Sequence, residues 1–388
     1  MMDVFIGNRH VGALIIRDKS STFIYDTEWQ KSGFSIAPNL PTAIKEHHAV
    51  GVHGIFTDAA PDRWGRKLIE RKHEGSYVSE QDYLLGVSDR LRLGALRFSL
   101  DGGRTFEGKG DIIPPMTSLP KFKQLCDAIM RGEEHDYSEL ISNASLGGAR
   151  AKIVVEDHHT QYLAKVPQIY DQDDVEGWEY VCLKLAHKAG ITVPECTLHG
   201  DTSNHTLLLK RFDRNHDHRI HYMSAMTLMD LKDGDSSTYI DLAYEITNQI
   251  GMQCLHELYR RMLLNILVSN TDDHLRNHGF LYQDGWELSP AFDITMSKQP
   301  YGSSHALRIN GEDRDDFDTA ISMCEYFDLN QEQALAMLSE VIEAGEQWQS
   351  IAASAGVRGA RKASKNIFLE EATDCGERLA LRDGMSLF

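Results

Sequence analysis

The 388-residue sequence has little positive charge and no long apolar run. It has 40 Lys+Arg and 58 Asp+Glu, which gives a net charge of −18. This charge argues against a protein whose own surface binds nucleic acid or an anionic membrane. The densest apolar run, residues 262–268, is interrupted by Asn265 and is far shorter than the roughly 20 residues that span a bilayer. The N-terminus has no basic-then-apolar signal pattern. We therefore expect a soluble, cytoplasmic protein with no membrane contact and no direct nucleic-acid binding.

The sequence also has only six cysteines, and no two of them lie closer than 14 positions. That spacing excludes a CxxC pair, and with it the usual zinc and dithiol patterns. We expect free, buried thiols and a reducing compartment. Hydrophobic residues make up 41% of the chain, which is enough for a real core, and the length predicts two or three structural units.

Periodicity divides the chain into a β-rich start, an α/β middle and a mostly helical end. Alternation on both sides of Gly7–Asn8 predicts a hairpin, and Pro61-Asp62 favours the start of a helix. Further strands are predicted at residues 21–25, 152–156, 161–166, 206–209, 221–223 and 279–282. Further helices are predicted at residues 175–189, 239–250 and 254–268. The turn-rich stretch 102–115 is the best candidate for a linker.

Residues 269–277 form a polar run between a predicted helix and a predicted strand. Such a run between apolar elements is costly unless it builds a polar site. Asp272 and Asn277 have the D-x-x-x-x-N spacing of a protein-kinase catalytic loop, in which the Asp accepts the substrate hydroxyl proton and the Asn holds magnesium. Asp293 follows 16 residues later, where the second magnesium-binding carboxylate of a kinase would fall.

The upstream half has the complementary parts of a kinase in the matching order. The small-residue loop 145–150 can bring backbone N–H groups against phosphate oxygens. Lys165 lies within an apolar strand, where an isolated lysine is seldom buried unless it is paired. Glu176 and Glu179, near the start of the next helix, are both candidate partners, and the sequence does not choose between them. No Walker A pattern occurs, which disfavours a P-loop NTPase.

Each of these elements also has an ordinary structural interpretation. The Gly-Gly pair can be a turn, Lys165 can extend from an edge strand to solvent, and the polar run can be a solvated loop. Their coincidence in one order favours the kinase. A zinc hydrolase is disfavoured because His274 and His278 lack the HExxH glutamate and because Gly279 breaks a helix there. Ser/His/Asp catalysis is disfavoured because no GxSxG motif is present.

Six motifs of the chain resemble those of the HipA family of bacterial serine/threonine kinases, the toxins of type II toxin–antitoxin pairs. The motifs are residues 56–66, 145–152, 210–214, 222–225, 270–279 and 288–293. The run NTDDHLRNHGF is highly specific, whereas the Gly-rich loop alone would not be. The resemblance implies an α+β, bilobal protein-kinase-like fold with a β-rich N-terminal lobe, an all-helical C-terminal lobe and ATP in the cleft between them.

We expect the chain to divide along the lines that the resemblance implies. A HipA-type N-terminal subdomain would occupy residues 1–110, and the rest of the kinase N-lobe, with the Gly-rich loop and the ATP lysine, would occupy 111–215. The helical C-lobe, with the catalytic loop and the metal-binding Asp, would occupy 216–388.

Carried over position by position, the resemblance implies Asp272 as the catalytic base and Asn277 and Asp293 as magnesium ligands. Ser145 matches the family's autophosphorylation position. The implied ATP-binding residues are Gly147, Gly148, Ala149, Arg150, Ala151, Lys152, Lys165, Lys210, Arg211, Phe212, His274, Leu275, Arg276, Asn277, Phe292 and Asp293. In that set, residues 147–152 form the loop over the phosphates, Lys165 contacts the phosphates, and the backbone of residues 210–212 holds adenine.

By the same resemblance the cofactors are ATP and Mg²⁺, and the reaction is phosphorylation of Ser/Thr on a translation component such as an aminoacyl-tRNA synthetase. The implied partner is a HipB-like DNA-binding antitoxin, which would supply the basic DNA surface that this acidic chain lacks. Two alternatives stay open. One is a catalytically silent, kinase-like scaffold or co-repressor that binds the antitoxin, and the other is a kinase for a small molecule.

Overall fold

The structure is a computed structural model. It describes residues 1–17, 19–61, 63–73, 76–108, 113–133, 150–200, 205–216, 218–297, 302–311 and 314–357, with side chains except at positions 63, 64, 68, 71 and 72. Among the described residues, unit 1 takes in those of 1–170, 208–232 and 281–284, and unit 2 takes in those of 171–207, 233–280 and 285–388.

Unit 1 begins with a five-stranded antiparallel sheet in the order β4-β3-β2-β1-β5. Its strands are β1 (Met2–Ile6), β2 (Arg9–Arg17), β3 (Ser20–Tyr25), β4 (Glu46–Val50) and β5 (Leu96–Ser99). The predicted hairpin is confirmed: β1 and β2 pair on either side of Gly7, whose φ of +60° suits a residue without a Cβ. The sheet buries one face, on which Phe23 packs against Tyr25 and Phe56.

Short helices lie between the strands of this sheet along the chain, and one of the resemblance motifs falls on them. They are α1 (Thr27–Ser32), α2 (Gly54–Asp58), α3 (Arg63–Lys72) and α4 (Glu80–Gly86). The helix predicted after Pro61 is therefore confirmed as α3. At the end of α2, the two oxygens of Asp58 accept hydrogen bonds from the backbone N–H and the hydroxyl of Ser224, each at 2.7 Å. Two motifs that are far apart in sequence thus meet within unit 1.

A second sheet places β6 (Lys152–Asp157), β7 (Thr160–Lys165) and β9 (Thr206–Lys210) side by side in that order. Between β7 and β9 the chain forms α6 (Val175–Lys188) and β8 (Cys196–His199). One face of β6 and β7 packs on α5 (Leu119–Arg131), through Ile153, Val155 and Ala164 of the strands and Phe122 of the helix. Because side chains alternate along a strand, the opposite face carries Lys152 and Lys165.

Unit 1 ends with short elements. They are β10 (Arg214–Asn215), β11 (His218–Arg219), β12 (His221–Ser224) and α7 (Ala225–Leu228). After them, β13 (Gly279–Tyr282) lies between β12 and β14 (Trp286–Leu288) in a three-stranded sheet. The prediction of an all-helical C-terminal lobe over residues 216–388 therefore needs correction. Phe280 and Leu281 are both buried, and a short apolar segment right after a polar loop pairs as a strand instead of adding a helical turn.

Unit 2 is mainly helical. Beyond α6, its helices are α8 (Tyr239–Gln249), α9 (Leu255–Leu267), α10 (Phe317–Ser322), α11 (Gln331–Gly345) and α12 (Trp348–Ala355). Single 3₁₀ turns occur in the two units at Met116–Ser118, Met252–Cys254, Leu275–Asn277 and Cys324–Phe327. Side-chain caps start α8, α10 and α11, as in the box of Thr238 and Asp241 at α8. The helices predicted at 175–189, 239–250 and 254–268 are confirmed within two residues at each end.

The five cysteines in the described ranges are free and buried, as predicted. Burial raises the pKa of the Cys126 and Cys182 thiols to about 12, so both stay protonated at neutral pH. Cys375 lies outside the described residues. No helix in the described part of the chain is long and apolar enough to cross a membrane.

Candidate active site

The polar run predicted as a catalytic loop leaves the end of α9 and leads into β13. Ser269, just after the helix, has φ of +50°, in the left-handed region that does not continue a helix. The next residue, Asn270, donates its backbone N–H to Asn265 O at 2.8 Å and its side-chain amide to Asn265 Oδ1 at 3.1 Å. The 3₁₀ turn Leu275–Asn277 then brings the chain to the strand. The loop is thus anchored on the last turns of a buried helix, which limits its movement.

Two adjacent carboxylates in this loop lie in opposite environments. Asp272 is exposed and, within the described part of the chain, its side chain has no hydrogen-bond partner. Asp273 is buried, and its carboxylate accepts hydrogen bonds from Tyr239 and His278. Burial alone would raise the pKa of Asp273, but His278 and Tyr239 outweigh it and hold the pKa below its usual value. Asp272 is the carboxylate that an acceptor hydroxyl can reach.

Asn277 and Asp293 are the predicted magnesium ligands, and both belong to unit 2. Asn277 donates its side-chain N–H to Asp272 O at a long 3.4 Å, and in the described part of the chain its side-chain oxygen has no protein donor. Asp293 has φ of +61°, in the left-handed region that few residues other than glycine adopt. Just before it, the backbone N–H of Ala291 donates to Thr192 O at 2.8 Å. This hydrogen bond holds the segment that leads to Asp293.

The other predicted loop residues differ in what they can offer a nucleotide. The Leu275 side chain is buried in the protein, so only its backbone is available. Arg276 makes a two-pronged ion pair with the exposed Asp233, at 2.9 and 3.0 Å. His274 has a buried Nδ1 with no partner in the described part of the chain. A buried polar atom of this kind is costly unless a ligand pairs with it.

Unit 1 contributes two lysines that face each other across a strand pair. Lys152 of β6 and Lys165 of β7 are register partners, and only 5% and 6% of their surfaces are exposed. Register partners in an antiparallel pair project on the same face of a sheet, so both ammonium groups lie on one side of β6 and β7. Arg150 and Ala151 directly precede β6; Ala151 is buried, and its carbonyl oxygen accepts a hydrogen bond from the Val166 N–H at 3.2 Å.

The predicted adenine hinge, residues 210–212, begins at the last residue of β9. Arg211 extends the strand by donating its backbone N–H to Gln161 O at 2.9 Å. Its guanidinium donates to Leu91 O and Arg92 O, both at 2.9 Å, so the side chain has a structural role while the backbone stays the predicted ligand. Lys210 and Phe212 are both half-buried.

Glu176 and Glu179, the two candidate partners of Lys165, lie in the first turns of α6 and are both buried. Asp174 caps this helix by accepting a hydrogen bond from the Gly177 N–H at 3.2 Å. Which glutamate pairs with Lys165 stays open. Ser145, Gly147, Gly148 and Ala149 lie outside the described residues.

Sequence reasoning missed two sets of polar residues. The first is the pair Tyr239 and His278 around Asp273, for which the Asp272-Asp273 doublet was the only local signal. The second is Asp213, a buried carboxylate on the residue after the hinge, which accepts from the guanidinium groups of Arg211 and Arg214. The K-R-F-D-R motif contains this set, but its resemblance alone does not reveal the ion pairs.

Two family models match this chain. The HipA N-terminal domain matches residues 2–99, and the HipA-like C-terminal domain matches residues 144–349, which is more than half of the chain. The chain belongs to the HipA family. The resemblance seen in the motifs is thereby confirmed. The family assignment places the catalytic-loop candidates and both lysines within the HipA-like C-terminal domain.

Individual proteins are also similar to this HipA-family chain. A protein of Sinorhizobium fredii that carries the name of a kinase, Y4dM, is 25% identical over 258 residues, and the match covers 61% of this chain and 60% of that relative's length. HipA of Shewanella oneidensis MR-1, solved with HipB and its operator DNA, aligns with a TM-score of 0.67 at 15% identity, over 99% of this chain and 98% of that one. The proinflammatory kinase CtkA of Helicobacter pylori aligns with a TM-score of 0.46 at 17% identity, over 61% of this chain and 94% of that one. The predicted α+β, kinase-like fold is confirmed by the likeness to HipA.

Proposed function

We propose that this HipA-family protein is a Mg-ATP-dependent serine/threonine protein kinase with Asp272 as its catalytic base. The observation that carries the proposal is the contrast between two adjacent carboxylates. Asp272 is exposed, without a partner in the described part of the chain, while Asp273 is buried and fully engaged. Only the first of them can take a proton from a substrate hydroxyl, and it is the one with the D-x-x-x-x-N spacing to Asn277.

The residues in unit 2 fit a magnesium ion that comes with a nucleotide. The Asp293 carboxylate and the Asn277 side-chain oxygen are the hard oxygen donors that Mg²⁺ prefers. No three His, Cys, Asp or Glu side chains gather as a metal site in the ranges that the structure describes. A site with so few protein ligands is typical of Mg²⁺ that completes its coordination with phosphates and water. When bound, Mg-ATP supplies the phosphoryl group and neutralises part of its charge.

The chain's own residues would divide the remaining work. Lys152 and Lys165 would bind the phosphates, because two buried ammonium groups on one face of β6 and β7 can both donate hydrogen bonds to phosphate oxygens. Arg150, Ala151 and the preceding glycines would contribute the loop over the phosphates, and Asp272 would receive the hydroxyl proton at a carboxylate oxygen. The hinge backbone at residues 210–212, the His274–Asn277 segment and Phe292 would complete the ATP site.

We further propose that the kinase acts as the toxin of a type II toxin–antitoxin pair. Its target would be a translation component such as an aminoacyl-tRNA synthetase, and its partner a HipB-like DNA-binding antitoxin. Support comes from the family membership and from the solved HipA of Shewanella oneidensis, which was seen with HipB and operator DNA. The net charge of −18 is consistent with leaving the DNA contacts to the partner.

The proposed kinase activity is tested by incubating the purified full chain with ATP and Mg²⁺ and following intact mass. We expect covalently bound phosphate only when both are present. Chelation of the metal with EDTA should stop the transfer, and added Mg²⁺ should restore it, because Asn277 and Asp293 hold the ion only together with the nucleotide. Tight nucleotide binding without any transfer to protein would instead support the silent scaffold or the small-molecule kinase.

Peptide mapping of the same sample tests the predicted autophosphorylation. We expect the phosphate on Ser145 and its absence in the Ser145→Ala variant. A phosphoserine adds about −1.5 to −2 charge beside a loop that is proposed to hold phosphates, so the modified protein should bind ATP more weakly. Phosphate on another serine, with Ser145 unmodified, would show that the family position is not used in this chain.

A further inference from the structure

A buried polar cluster is centred on the residue that follows the proposed catalytic base in the chain. Its centre is Asp273, with 2% of its surface exposed. One carboxylate oxygen accepts from His278 Nε2 at 3.0 Å, and the other accepts from the Tyr239 hydroxyl. Both partners are themselves buried. The cluster belongs entirely to unit 2, and the proposed reaction uses none of its three side chains.

The cluster ties together elements that are distant in sequence. Tyr239 is the first residue of α8, Asp273 lies in the loop, and His278 directly precedes β13. The Tyr239 hydroxyl also accepts a hydrogen bond from Asn265 Nδ2 at 3.0 Å, and Asn265 lies in α9. Asp273 is thus the point where a helix start, a second helix and a strand start are connected to the loop.

The backbone around Asp273 is fixed in the same way. Leu307 donates its N–H to Asp273 O at 2.6 Å, and Ala306 donates to Thr271 O at 3.0 Å. Tyr239 contacts the same 305–309 segment, since its backbone N–H donates to Arg308 O at 2.7 Å. The residues on either side of Asp272, Thr271 and Asp273, thus both accept backbone hydrogen bonds from residues 306–307. The position of the Asp272 backbone therefore depends on these two hydrogen bonds.

Asp273 cannot itself act on a substrate, because both of its oxygens are engaged and it is shielded from solvent. If it is removed, the hydroxyl of Tyr239 and the ring N–H of His278 lose their acceptor inside the protein, where an unmade hydrogen bond is expensive. Hydrogen bonds among buried groups favour one arrangement of the groups that they join. A base displaced by about 1 Å can lose on the order of 10²-fold in rate.

We propose that Asp273 is a positioning residue that, through Tyr239 and His278, holds the loop in the conformation that presents Asp272 to the acceptor hydroxyl. This inference rests on the kinase function proposed above. The same cluster gives a reason for the aspartate doublet: the first residue takes the proton and the second keeps the first in place.

The test compares Asp273→Asn and Tyr239→Phe with the matched control Tyr259→Phe in the full-length protein. Tyr259 is also a fully buried tyrosine of unit 2, but its hydroxyl donates to Ala320 O, away from the loop. For Asp273→Asn we expect kcat to fall about tenfold or more while KM for ATP changes by less than about twofold. Tyr239→Phe should show a smaller fall in kcat, and Tyr259→Phe should show none.

Hydrogen exchange of the peptide covering residues 269–280, measured without nucleotide, gives a readout that does not need activity. We expect faster exchange there in Asp273→Asn and Tyr239→Phe, and wild-type exchange in Tyr259→Phe. Unchanged hydrogen exchange in both Asp273→Asn and Tyr239→Phe would overturn the inference, as would an unchanged kcat of Asp273→Asn when the wild type is an active enzyme. If the wild type transfers no phosphate, the proposed function fails, and exchange alone decides whether Asp273 fixes the loop. Tyr239→Phe, which removes one hydroxyl, decides the matter if Asp273→Asn does not fold.

Discussion

Replacing Asp272 with Asn should lower the rate of phosphoryl transfer by about 10²–10⁴-fold, the usual contribution of a positioned general base. Asn keeps the size of the side chain but cannot accept the hydroxyl proton. Because Asp272 is exposed and has no partner in the described part of the chain, the Asp272→Asn substitution should leave folding and ATP affinity unchanged. The loss should therefore appear in kcat and not in KM for ATP.

The measurement is single-turnover transfer from ATP beside nucleotide titration and a thermal melt of the same samples. Asp284→Asn is the matched control, since Asp284 is another exposed aspartate with no partner in the described ranges. We expect the control to transfer phosphate at the wild-type rate. An Asp272→Asn protein that keeps most of its activity would exclude Asp272 as the base. Asp273 could not take over that role without leaving its buried partners.

The features that could be predicted from the sequence are those set by neighbours along the chain. The hairpin at Gly7, the strands β6 and β7 and the helices α8 and α9 follow from periodicity and turn residues, and the structure has these two strands and two helices within two residues of the prediction. The spacing of Asp272 and Asn277 is likewise local. It singled out the first aspartate of the doublet, which is the exposed one in the structure.

The features that could not be predicted depend on contacts over long sequence separations. Tyr239 reaches Asp273 from 34 residues away, and nothing in the pattern around it distinguishes it from an ordinary core tyrosine. The Arg211 guanidinium donates a hydrogen bond to Arg92 O across 119 residues, a structural role of the side chain that the motif, which implied only a backbone contact with adenine, did not reveal. Periodicity reports which face of an element is apolar, but the partner of a buried polar group is decided only by the tertiary fold.

Replacing Asp213 with Ala should cost about 3–5 kcal/mol of stability in unit 1, because removing one partner of a buried ion pair leaves the other charge uncompensated. The carboxylate accepts from Arg211 at 2.7 and 2.9 Å, from Arg214 at 2.7 Å and from the Gly94 N–H at 2.8 Å. Arg211 and Arg214 also donate to the carbonyl oxygens of residues 90–94. If the two arginines move when Asp213 is removed, these hydrogen bonds weaken and that segment loosens as well.

The pH dependence of this difference identifies its origin. Burial alone would raise the pKa of Asp213, but the guanidinium groups of Arg211 and Arg214 overcome burial and hold it far below the usual value. A lowered pKa in the folded state contributes stability that is complete above the unfolded-state value, near pH 4, and is lost as the pH falls toward the folded one. The gap between wild type and Asp213→Ala should thus be constant from pH 5 to 8 and should shrink only in stronger acid.

Denaturant unfolding followed by hydrogen exchange of the peptide covering residues 89–97 measures this loss in unit 1 itself, which matters because two units need not unfold together. Asp272→Asn is a suitable control, since it removes an aspartate charge without breaking an ion pair and should leave the unfolding midpoint unchanged. Asp213 directly follows the proposed adenine hinge. Its partner Arg211 is a hinge residue, and the Arg211 guanidinium also donates to the carbonyl oxygens of Leu91 and Arg92 in the HipA N-terminal domain. We therefore expect ATP to bind more weakly to whatever fraction of Asp213→Ala remains folded. A large loss of stability with wild-type ATP affinity would mean that the ion pairs support the fold but not the position of the hinge.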